Sequence, residues 1–313
     1  MEMQAPVGLV AANDFILSLG PLLSIKPRRP RLRPTIYTPA KALLSSRLTA
    51  TIPLSNQDVG APTPFENRRV TPSLSKTPSV PRTIAIGDVH GCNTALATLL
   101  TGLKLQAHDT VVMLGDVMDR GPDSRDVINQ LFALGERCQL VCLQGNHEQM
   151  MLDALDGRMP IQEWLVHGGA ETLDSYGKGA GMNALDPVHV EFIRGWGDVF
   201  ETESHFFAHG NYLATRPLDR QPWTDLRWQS LKWHTPEPHI SGKTAVLGHT
   251  SNKQGEILNL GHLICIDTYC HGGCWLTAFD STNGRVWQSN EAGEFRGVEL
   301  PPIKSAAVTR QYP

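Results

Sequence analysis

The sequence lacks any uninterrupted apolar run of the roughly 18 residues that a membrane-spanning helix needs, so we expect no transmembrane segment. Cysteine is also scarce, with six scattered residues in 313. A chain of this length can build a core without disulfides, so we expect a reduced, cytoplasmic protein. Cys270 and Cys274 could suggest a zinc site, but no second Cys or His pair stands at the usual spacing, which favours ordinary thiols.

Basic residues are the minority in most of the chain. Residues 1–82 hold 11 Lys/Arg and 4 Asp/Glu, whereas the remaining 231 residues hold 17 and 27. Nucleic-acid surfaces require clustered Lys and Arg, so the acidic part argues against a nucleic-acid partner. Residues 1–82 also contain 12 of the 22 prolines. Such composition buries too little apolar surface to offset the entropy of ordering. We therefore predict a disordered basic, Pro/Ser/Thr-rich extension over 1–81, a catalytic domain over 82–292 and a tail over 293–313.

A strand, a polar loop and a helix follow one another three times after residue 82. The strands are predicted at Thr83–Ile86, Thr110–Leu114 and Leu140–Leu143, and the helices at about Thr94–Leu103, 124–134 and Glu148–Leu155. This order is typical of a parallel sheet, in which ligands bind at the carboxyl ends of the strands.

Short strands dominate the second half of the chain. The segment from Pro160 to about Trp196 is predicted to be helical. Seven strands are predicted after it, at Val199–Thr202, His205–Ala208, Thr244–Leu247, Glu256–Leu258, Leu263–Asp267, Trp275–Phe279 and Arg285–Gln288. We expect these strands to be mostly antiparallel, which makes the fold class α/β (α+β).

Potential metal ligands follow five of the predicted strands. They are Asp88, His90, Asp116, Asn146, His209 and His249. Taken singly, such an Asp often caps a helix, such an Asn fits a turn, and such a His is more often a hydrogen-bonded residue than a ligand. Five clusters at strand ends instead favour a site for two divalent cations about 3.5–4 Å apart. These ions would clamp a phosphate and activate a bridging hydroxide as nucleophile.

Three of the clusters belong to longer motifs. These are Gly87-Asp88-Val89-His90-Gly91, Gly115-Asp116-Val117-Met118-Asp119-Arg120-Gly121 and Gly145-Asn146-His147-Glu148. They resemble the signatures of the calcineurin-like metallophosphoesterases, specifically the phosphoprotein phosphatase branch. The resemblance extends over about residues 82–290 and is greatest to the small bacterial and bacteriophage serine/threonine protein phosphatases. It implies a central two-sheet β-sandwich flanked by helices.

The resemblance also implies roles for individual residues. Asp88 and His90 would bind the first metal, Asp116 would bridge the two, and Asn146, His209 and His249 would bind the second. His147, oriented by Asp119, would protonate the leaving alkoxide, and Arg120 and Asn146 would contact substrate. The alternatives are a structural role for His147 and a helix-side ion pair for Arg120. Mn²⁺ is the preferred metal, although Fe²⁺ and Zn²⁺ suit the same ligands.

One segment departs from the pattern of the phage-type enzymes. Those enzymes place a second phosphate-binding Arg two residues after a Trp, between the two late His motifs. In this chain the residue two after Trp228 is Ser230. Arg227 or Lys232 is a candidate replacement, and we assign Arg227 to the substrate site. The alternative for Arg227 is an exposed charge on an aromatic-rich loop.

Three functions are compatible with these motifs. The first is a metal-dependent serine/threonine-type protein phosphatase, whose substrate would be a phosphorylated protein or a small phosphoester. The second is a bis(5'-nucleosyl)-tetraphosphatase-like hydrolase. In that branch the second motif usually lacks the Asp before Arg and the third ends in Asp, whereas this chain has Asp119 and Glu148. The third is a non-catalytic regulatory module, which would be expected to lack a ligand. The first is favoured, and the sequence predicts no oligomeric state.

Overall fold

The computed structural model describes residues 80–304, so all but the last two residues of the predicted extension lie outside the described part. The strands are β1 (Thr83–Ile86), β2 (Thr110–Met113), β3 (Gln139–Cys142), β4 (Phe200–Glu201), β5 (His205–Phe207), β6 (Thr244–Leu247), β7 (Leu258–Asn259), β8 (Leu263–Cys265), β9 (Leu276–Asp280), β10 (Val286–Ser289) and β11 (Phe295–Val298). The α-helices are α1 (Asn93–Leu103), α2 (Ser124–Gly135), α3 (Asn146–Leu155), α4 (Ile161–Trp164), α5 (Ala170–Tyr176), α6 (Pro187–Arg194) and α7 (Trp223–Trp228). A π-helical turn, Leu165–Gly169, joins α4 to α5.

The strands form two mixed sheets. The first has the order β11-β10-β9-β1-β2-β3. Strands β1, β2 and β3 pair parallel to one another, whereas the pairs β1–β9, β9–β10 and β10–β11 are antiparallel. The second has the order β4-β5-β6-β8-β7. Its central strands β5, β6 and β8 are parallel, so the expectation of mostly antiparallel pairing is wrong at the centre of this sheet. The long segment 208–243 supplies the crossover that a parallel pair requires, and strand patterns alone do not reveal such pairing.

Alternate residues of each strand pack on opposite faces of its sheet, as the two-residue period of a strand dictates. In β2, Val111 and Met113 pack with helices α1 and α2, whereas Val112 faces the second sheet. The layer between the sheets also includes Phe207, Val246, Ile264 and Ile266 from the second sheet. A further apolar layer covers the other side of the second sheet. The predicted class, two sheets flanked by helices, is confirmed.

Two predicted boundaries differ from the structure. Helix α3 begins at Asn146 rather than Glu148, so Asn146 and His147 lie on its first turn. The segment from residue 293, predicted as a tail, contains β11, which pairs with β10, and its Lys304 N donates to Asn259 O at 2.8 Å. Strand β11 is short and largely exposed, so only its pairing with β10 defines it. Among residues 80–304, no helix has the length and apolar character to cross a bilayer.

Candidate metal centre and active site

The six predicted ligands meet at one rim of the molecule. Asp88 and His90 follow β1, Asp116 follows β2, and Asn146 follows β3. His209 and His249 follow β5 and β6 of the second sheet. Because β1–β3 and β5–β6 are parallel within their sheets, these side chains leave the carboxyl ends of both sheets together.

Four ligand atoms converge on the side of the second sheet. His209 Nε2 lies 3.1 Å from Asn146 Oδ1, 3.1 Å from His249 Nδ1 and 3.4 Å from Asp116 Oδ2. Atoms bound at about 2.1 Å to one ion stand about 3.0–3.4 Å apart in octahedral or tetrahedral geometry. The spacing of these four atoms therefore fits a common divalent cation.

The first-metal side is built around the same carboxylate. Asp116 Oδ2 lies 3.6 Å from His90 Nε2 and 3.9 Å from His147 Nε2, and these three residues form a second group of potential ligands. Asp116 is thus common to both groups, the position that a bridging ligand requires. Both oxygens of Asp88 accept a hydrogen bond from His249 N at 3.1 Å, which ties the two halves of the rim together.

Backbone carbonyls orient the three histidines. His90 Nδ1 lies 2.9 Å from Met118 O, His209 Nδ1 lies 2.9 Å from Leu114 O, and His249 Nε2 lies 3.1 Å from Trp228 O. In each ring the opposite nitrogen faces the ligand cluster. Metal-ligating histidines are commonly held in this way, with one nitrogen fixed by the protein and the other left for the ion.

The charge balance of the rim also suits cations. Burial raises the pKa of Asp88 well above its usual value, and nearby Asp267 raises it further. Burial has the same effect on Asp116, but the charges of His209 and His147 outweigh it and hold the pKa of Asp116 well below its usual range. Burial lowers the pKa of His209, but Asp116 reverses this and raises it to about 9. Buried carboxylates so close together require positive charge nearby.

The backbone of the rim is strained. Five of its non-glycine residues have positive φ: His90 at 46°, Asp116 at 49°, Asp119 at 69°, Arg120 at 70° and His249 at 62°. Side chains rarely adopt this conformation, and proteins retain it chiefly at functional sites. Close approaches add to the constraint: a Cβ on Gly145 would lie 2.0 Å from Asp116 Oδ1, and one on Gly248 would lie 2.2 Å from Asp88 Oδ1.

His147 and Asp119 form a buried pair beside the ligand groups. His147 Nδ1 lies 2.8 Å from Asp119 Oδ2, and the carboxylate also accepts from Trp164 Nε1 at 2.9 Å and Thr172 Oγ1 at 2.6 Å. Burial lowers the pKa of His147, but the charge of Asp116 and the hydrogen bond to Asp119 more than compensate and raise it. His147 Nε2 is buried without a hydrogen-bond partner, so it is available to a substrate atom.

Glu148, the last residue of the third motif, positions the backbone of the rim. Its carboxylate accepts hydrogen bonds at 2.9 Å from the N–H groups of Asp116, Val117 and Gly145. Burial and then the charge of Asp116 raise the pKa of Glu148 to about 7. The glutamate therefore joins the second motif to the third, a role that the sequence analysis did not anticipate.

The two predicted arginines occupy different places. Arg120 is exposed, and its Nη1 lies 2.8 Å from His90 Nε2, at the mouth of the first group. Arg227 is buried rather than exposed: its Nε donates to Asp198 Oδ1 at 2.6 Å and its Nη1 donates to Gln149 Oε1. Gln149 lies on α3 two residues after His147, so Arg227 is hydrogen-bonded to the helix that carries His147.

Two further residues of the rim were given no role by the sequence reasoning, although Ile266-Asp267-Thr268 resembles one of the family's later signatures. Asp267 is buried and accepts from Ser251 Oγ at 2.6 Å. It follows β8, so the strand-end rule used for the other ligands would have found it. The ring of His271 lies edge-on to that of His90, with centroids 4.6 Å apart. His271 belongs to a 3-10 turn, Cys270–Gly272, and no strand-end signal marks it.

This chain is similar to known proteins in sequence and in fold. A family model for the calcineurin-like phosphoesterases matches residues 81–272. The symmetrical bis(5'-nucleosyl)-tetraphosphatase of Janthinobacterium sp. (strain Marseille) is 30% identical over 268 residues, which cover 64% of this chain and 93% of that protein. Serine/threonine-protein phosphatase 1 of Salmonella typhimurium is 39% identical over 87 residues, only 27% of this chain and 37% of the phosphatase. A crystal structure described as a candidate diadenosine tetraphosphatase superposes with a TM-score of 0.52 and 20% identity, covering 69% of this chain and 93% of that one. The chain belongs to the calcineurin-like phosphoesterase family of metal-binding hydrolases.

Proposed function

We propose that this metallophosphoesterase hydrolyses phosphomonoesters and acts as a serine/threonine-type protein phosphatase. The observation that carries the proposal is the buried His147–Asp119 pair, whose Nδ1···Oδ2 distance is 2.8 Å. An alkoxide is a poor leaving group and needs a proton as the P–O bond breaks. A phosphate anhydride releases a much more stable anion, so a well-held proton donor is of greatest use in ester cleavage.

We assign two divalent cations to the rim. Asp88 and His90 would hold the first, Asn146, His209 and His249 the second, and Asp116 both. Such ions, when bound, neutralise phosphate charge and lower the pKa of a water molecule so that it can attack phosphorus. Mn²⁺ is our preferred metal, and we also propose a cytoplasmic location.

The chain's own side chains would complete the reaction. His147 would donate the proton on Nε2 to the leaving oxygen, while Asp119 fixes its ring through Nδ1 and stabilises the protonated form. Arg120, with its exposed planar donor fork beside His90, would grip the phosphate together with Asn146. Arg227, held in place by Asp198 and Gln149, would be the second cation to contact the phosphate.

A second candidate is the symmetrical hydrolysis of dinucleoside tetraphosphates. It is favoured by the names of the Janthinobacterium protein and of several shorter matches, including the Bordetella pertussis protein at 43% identity over 134 residues. The donor pair argues for the ester substrate, because anhydride cleavage depends less on a proton donor.

The substrate test compares p-nitrophenyl phosphate, a phosphoserine peptide and diadenosine tetraphosphate on purified protein with Mn²⁺. We expect turnover of both esters, with kcat for the phosphoserine peptide reduced about 10²–10⁴-fold in His147→Asn. The reduction should be smaller with p-nitrophenyl phosphate, because nitrophenolate leaves readily without a proton. Rapid tetraphosphate cleavage without ester turnover would replace this proposal with the second candidate. Absence of turnover of all three substrates by metal-loaded protein would favour a non-catalytic module.

A further inference from the structure

His271 is a histidine of the rim to which the proposed reaction gives no role. It belongs to the 3-10 turn Cys270–Gly272, and it is half-buried. Its ring lies edge-on to that of His90, with centroids 4.6 Å apart, and the ring of His147 lies edge-on to His90 at 4.8 Å. His271 therefore stands beside a proposed ligand of the first metal, just as the proposed proton donor does.

The ring nitrogens of His271 are free to bind another molecule. Within residues 80–304 they have no hydrogen-bond partner, and the ring contacts of His271 are those with His90 and with Tyr269, whose centroid lies 4.7 Å away. The Nδ1 of His90, by contrast, lies 2.9 Å from Met118 O. An imidazole carries at least one N–H in either tautomer, so His271 has a donor to offer to a bound molecule.

The turn that carries His271 is held in a constrained conformation. Tyr269 has a positive φ of 61°, which side chains rarely adopt, and its ring covers Gly272, where an added Cβ would collide with it. Cys270 is buried in the same apolar cluster as Cys92, which directly follows the first motif. Gly272 is exposed, so the turn borders the solvent. His271 is thus fixed at the open edge of the rim, and strain of this kind is typical of functional sites.

Arg120 and His147 both act electrostatically on His271. Burial lowers the pKa of His271, and the positive charges of these two residues lower it further, to about 4. Arg120 Nη1 also lies 2.8 Å from His90 Nε2. Arg120 and His271 therefore both lie next to His90, at the mouth of the first group of ligands.

We propose that His271 is a further phosphate-binding residue, which donates a ring N–H to a non-bridging phosphate oxygen beside Arg120. The inference rests on the proposed phosphoesterase function and adds a contact to the same site. A phosphomonoester has three non-bridging oxygens, so a donor beside Arg120 has an oxygen to bind in addition to those that face the metal ions. The potential ligand groups of the described residues centre on Asp116 and do not include His271, so its position favours substrate over metal.

Binding of inorganic phosphate to the Mn²⁺-loaded full-length chain tests this contact without requiring turnover. His271→Phe keeps a ring against His90 and Tyr269 but removes both nitrogens, and it should raise the Kd of phosphate about tenfold in isothermal titration. His271→Gln, which supplies an amide donor, should recover part of the loss. The matched control is His108→Phe, at an exposed position before β2 and thus at the end of that strand opposite Asp116, and its Kd should be unchanged.

Elemental analysis should find the same metal content in the unmodified chain and in all three variants. Equal Kd values for His271→Phe and the unmodified chain would overturn the contact, and so would the absence of phosphate binding by the unmodified chain. Loss of metal from His271→Phe would also overturn it, because His271 would then act on the ions. If His271→Phe does not fold, His271→Ala takes its place with the same expected loss of affinity.

Steady-state kinetics separate a phosphate contact from a merely structural role. KM for p-nitrophenyl phosphate should rise about tenfold in His271→Phe, while kcat changes by less than about twofold. A fall in kcat at constant KM would overturn the assignment. Absence of all ester turnover would overturn the proposed function and leave the phosphate titration to decide the contact. Full turnover with unchanged phosphate affinity would overturn the contact alone.

Discussion

Trp164 and Asp119 are joined by a 2.9 Å hydrogen bond from the indole Nε1 to Oδ2, the same oxygen that lies 2.8 Å from His147 Nδ1. Trp164 is fully buried and packs against Gly169, where an added Cβ would lie 2.5 Å from the indole ring. The helical segment after α3 therefore contributes to the active site by fixing the carboxylate that orients the proposed proton donor.

Trp164→Phe should weaken this arrangement without emptying the core. Loss of a hydrogen bond to a buried charged group costs about 1.5–3 kcal/mol, so the free energy of unfolding should fall by about that amount. We expect kcat for a phosphoserine peptide to fall about tenfold, since His147 loses part of its orientation. Denaturant unfolding and steady-state kinetics measure the two effects, with Trp233→Phe as the exposed control. Unchanged kcat would show that Asp119 does not depend on the indole.

Asp119→Asn should move the pH profile of kcat toward acid. Burial lowers the pKa of His147, while the charge of Asp116 and the hydrogen bond to Asp119 together raise it. Removing the charge of Asp119 takes away part of the raising effect, so His147 loses its proton at a lower pH. Because the protonated form is the proposed donor, the basic limb of the profile should shift downward in pH. A limb that stays in place would assign it to another group.

His249→Ala should reduce metal content as well as turnover. The proposed second-metal site consists of His209 Nε2 and three atoms that lie 3.1–3.4 Å from it, one of which is His249 Nδ1. Removal of the His249 ring therefore takes one of the four ligands from this site. We expect elemental analysis to find fewer divalent ions per chain, and kcat to fall about 10³-fold or more. Asp88→Asn should behave similarly at the first site. Full metal content in both variants would contradict the ligand assignments.

Gly145→Ala should be far more damaging than an ordinary glycine substitution. The added Cβ would lie 2.0 Å from Asp116 Oδ1 and 2.7 Å from Asp116 N, so the bridging carboxylate or its backbone must move. We expect a loss of stability of about 1–3 kcal/mol, together with weaker metal binding. Gly297→Ala is the matched control: its Cβ would meet nothing within 4 Å, and its stability should change by less than about 0.5 kcal/mol. Equal effects at the two positions would contradict the close-packing argument.

Arg227→Met and Lys232→Met should separate the two candidates for the second phosphate-binding cation. Arg227 is buried and held by Asp198 and Gln149, whereas Lys232 is exposed. If the ordered guanidinium binds phosphate, its loss should raise KM about tenfold or more, and the loss of Lys232 should have little effect. The reverse result would transfer the role to Lys232.

Much of the fold and the site could be predicted from local patterns in the sequence. The apolar runs of β1, β2 and β3, each followed by a glycine and a polar residue, predicted three parallel strands with their ligands at one edge. Local patterns were less informative about pairing: the parallel centre of the second sheet depends on residues far apart in the chain, such as His205 and Thr244. The strand at 295–298 pairs with β10, only a few residues earlier, but it is largely exposed and so lacks the buried apolar face that marks a strand. The edge position of β3 likewise has no local signal.

The chemical groups available to the rim can be read from the sequence, because the types and spacing of Asp88, His90, Asp116, Asn146 and His147 are local properties of three motifs. The contacts that those groups make depend on the three-dimensional fold. Several of these contacts join residues far apart in the chain. His209 lies 3.1 Å from His249, 40 positions away, and Trp164 donates to Asp119, 45 positions away. Arg227 donates to Asp198, which is 29 positions away. Contacts over such separations are set by how the two sheets pack and which strands run parallel, and no short stretch of sequence encodes either property.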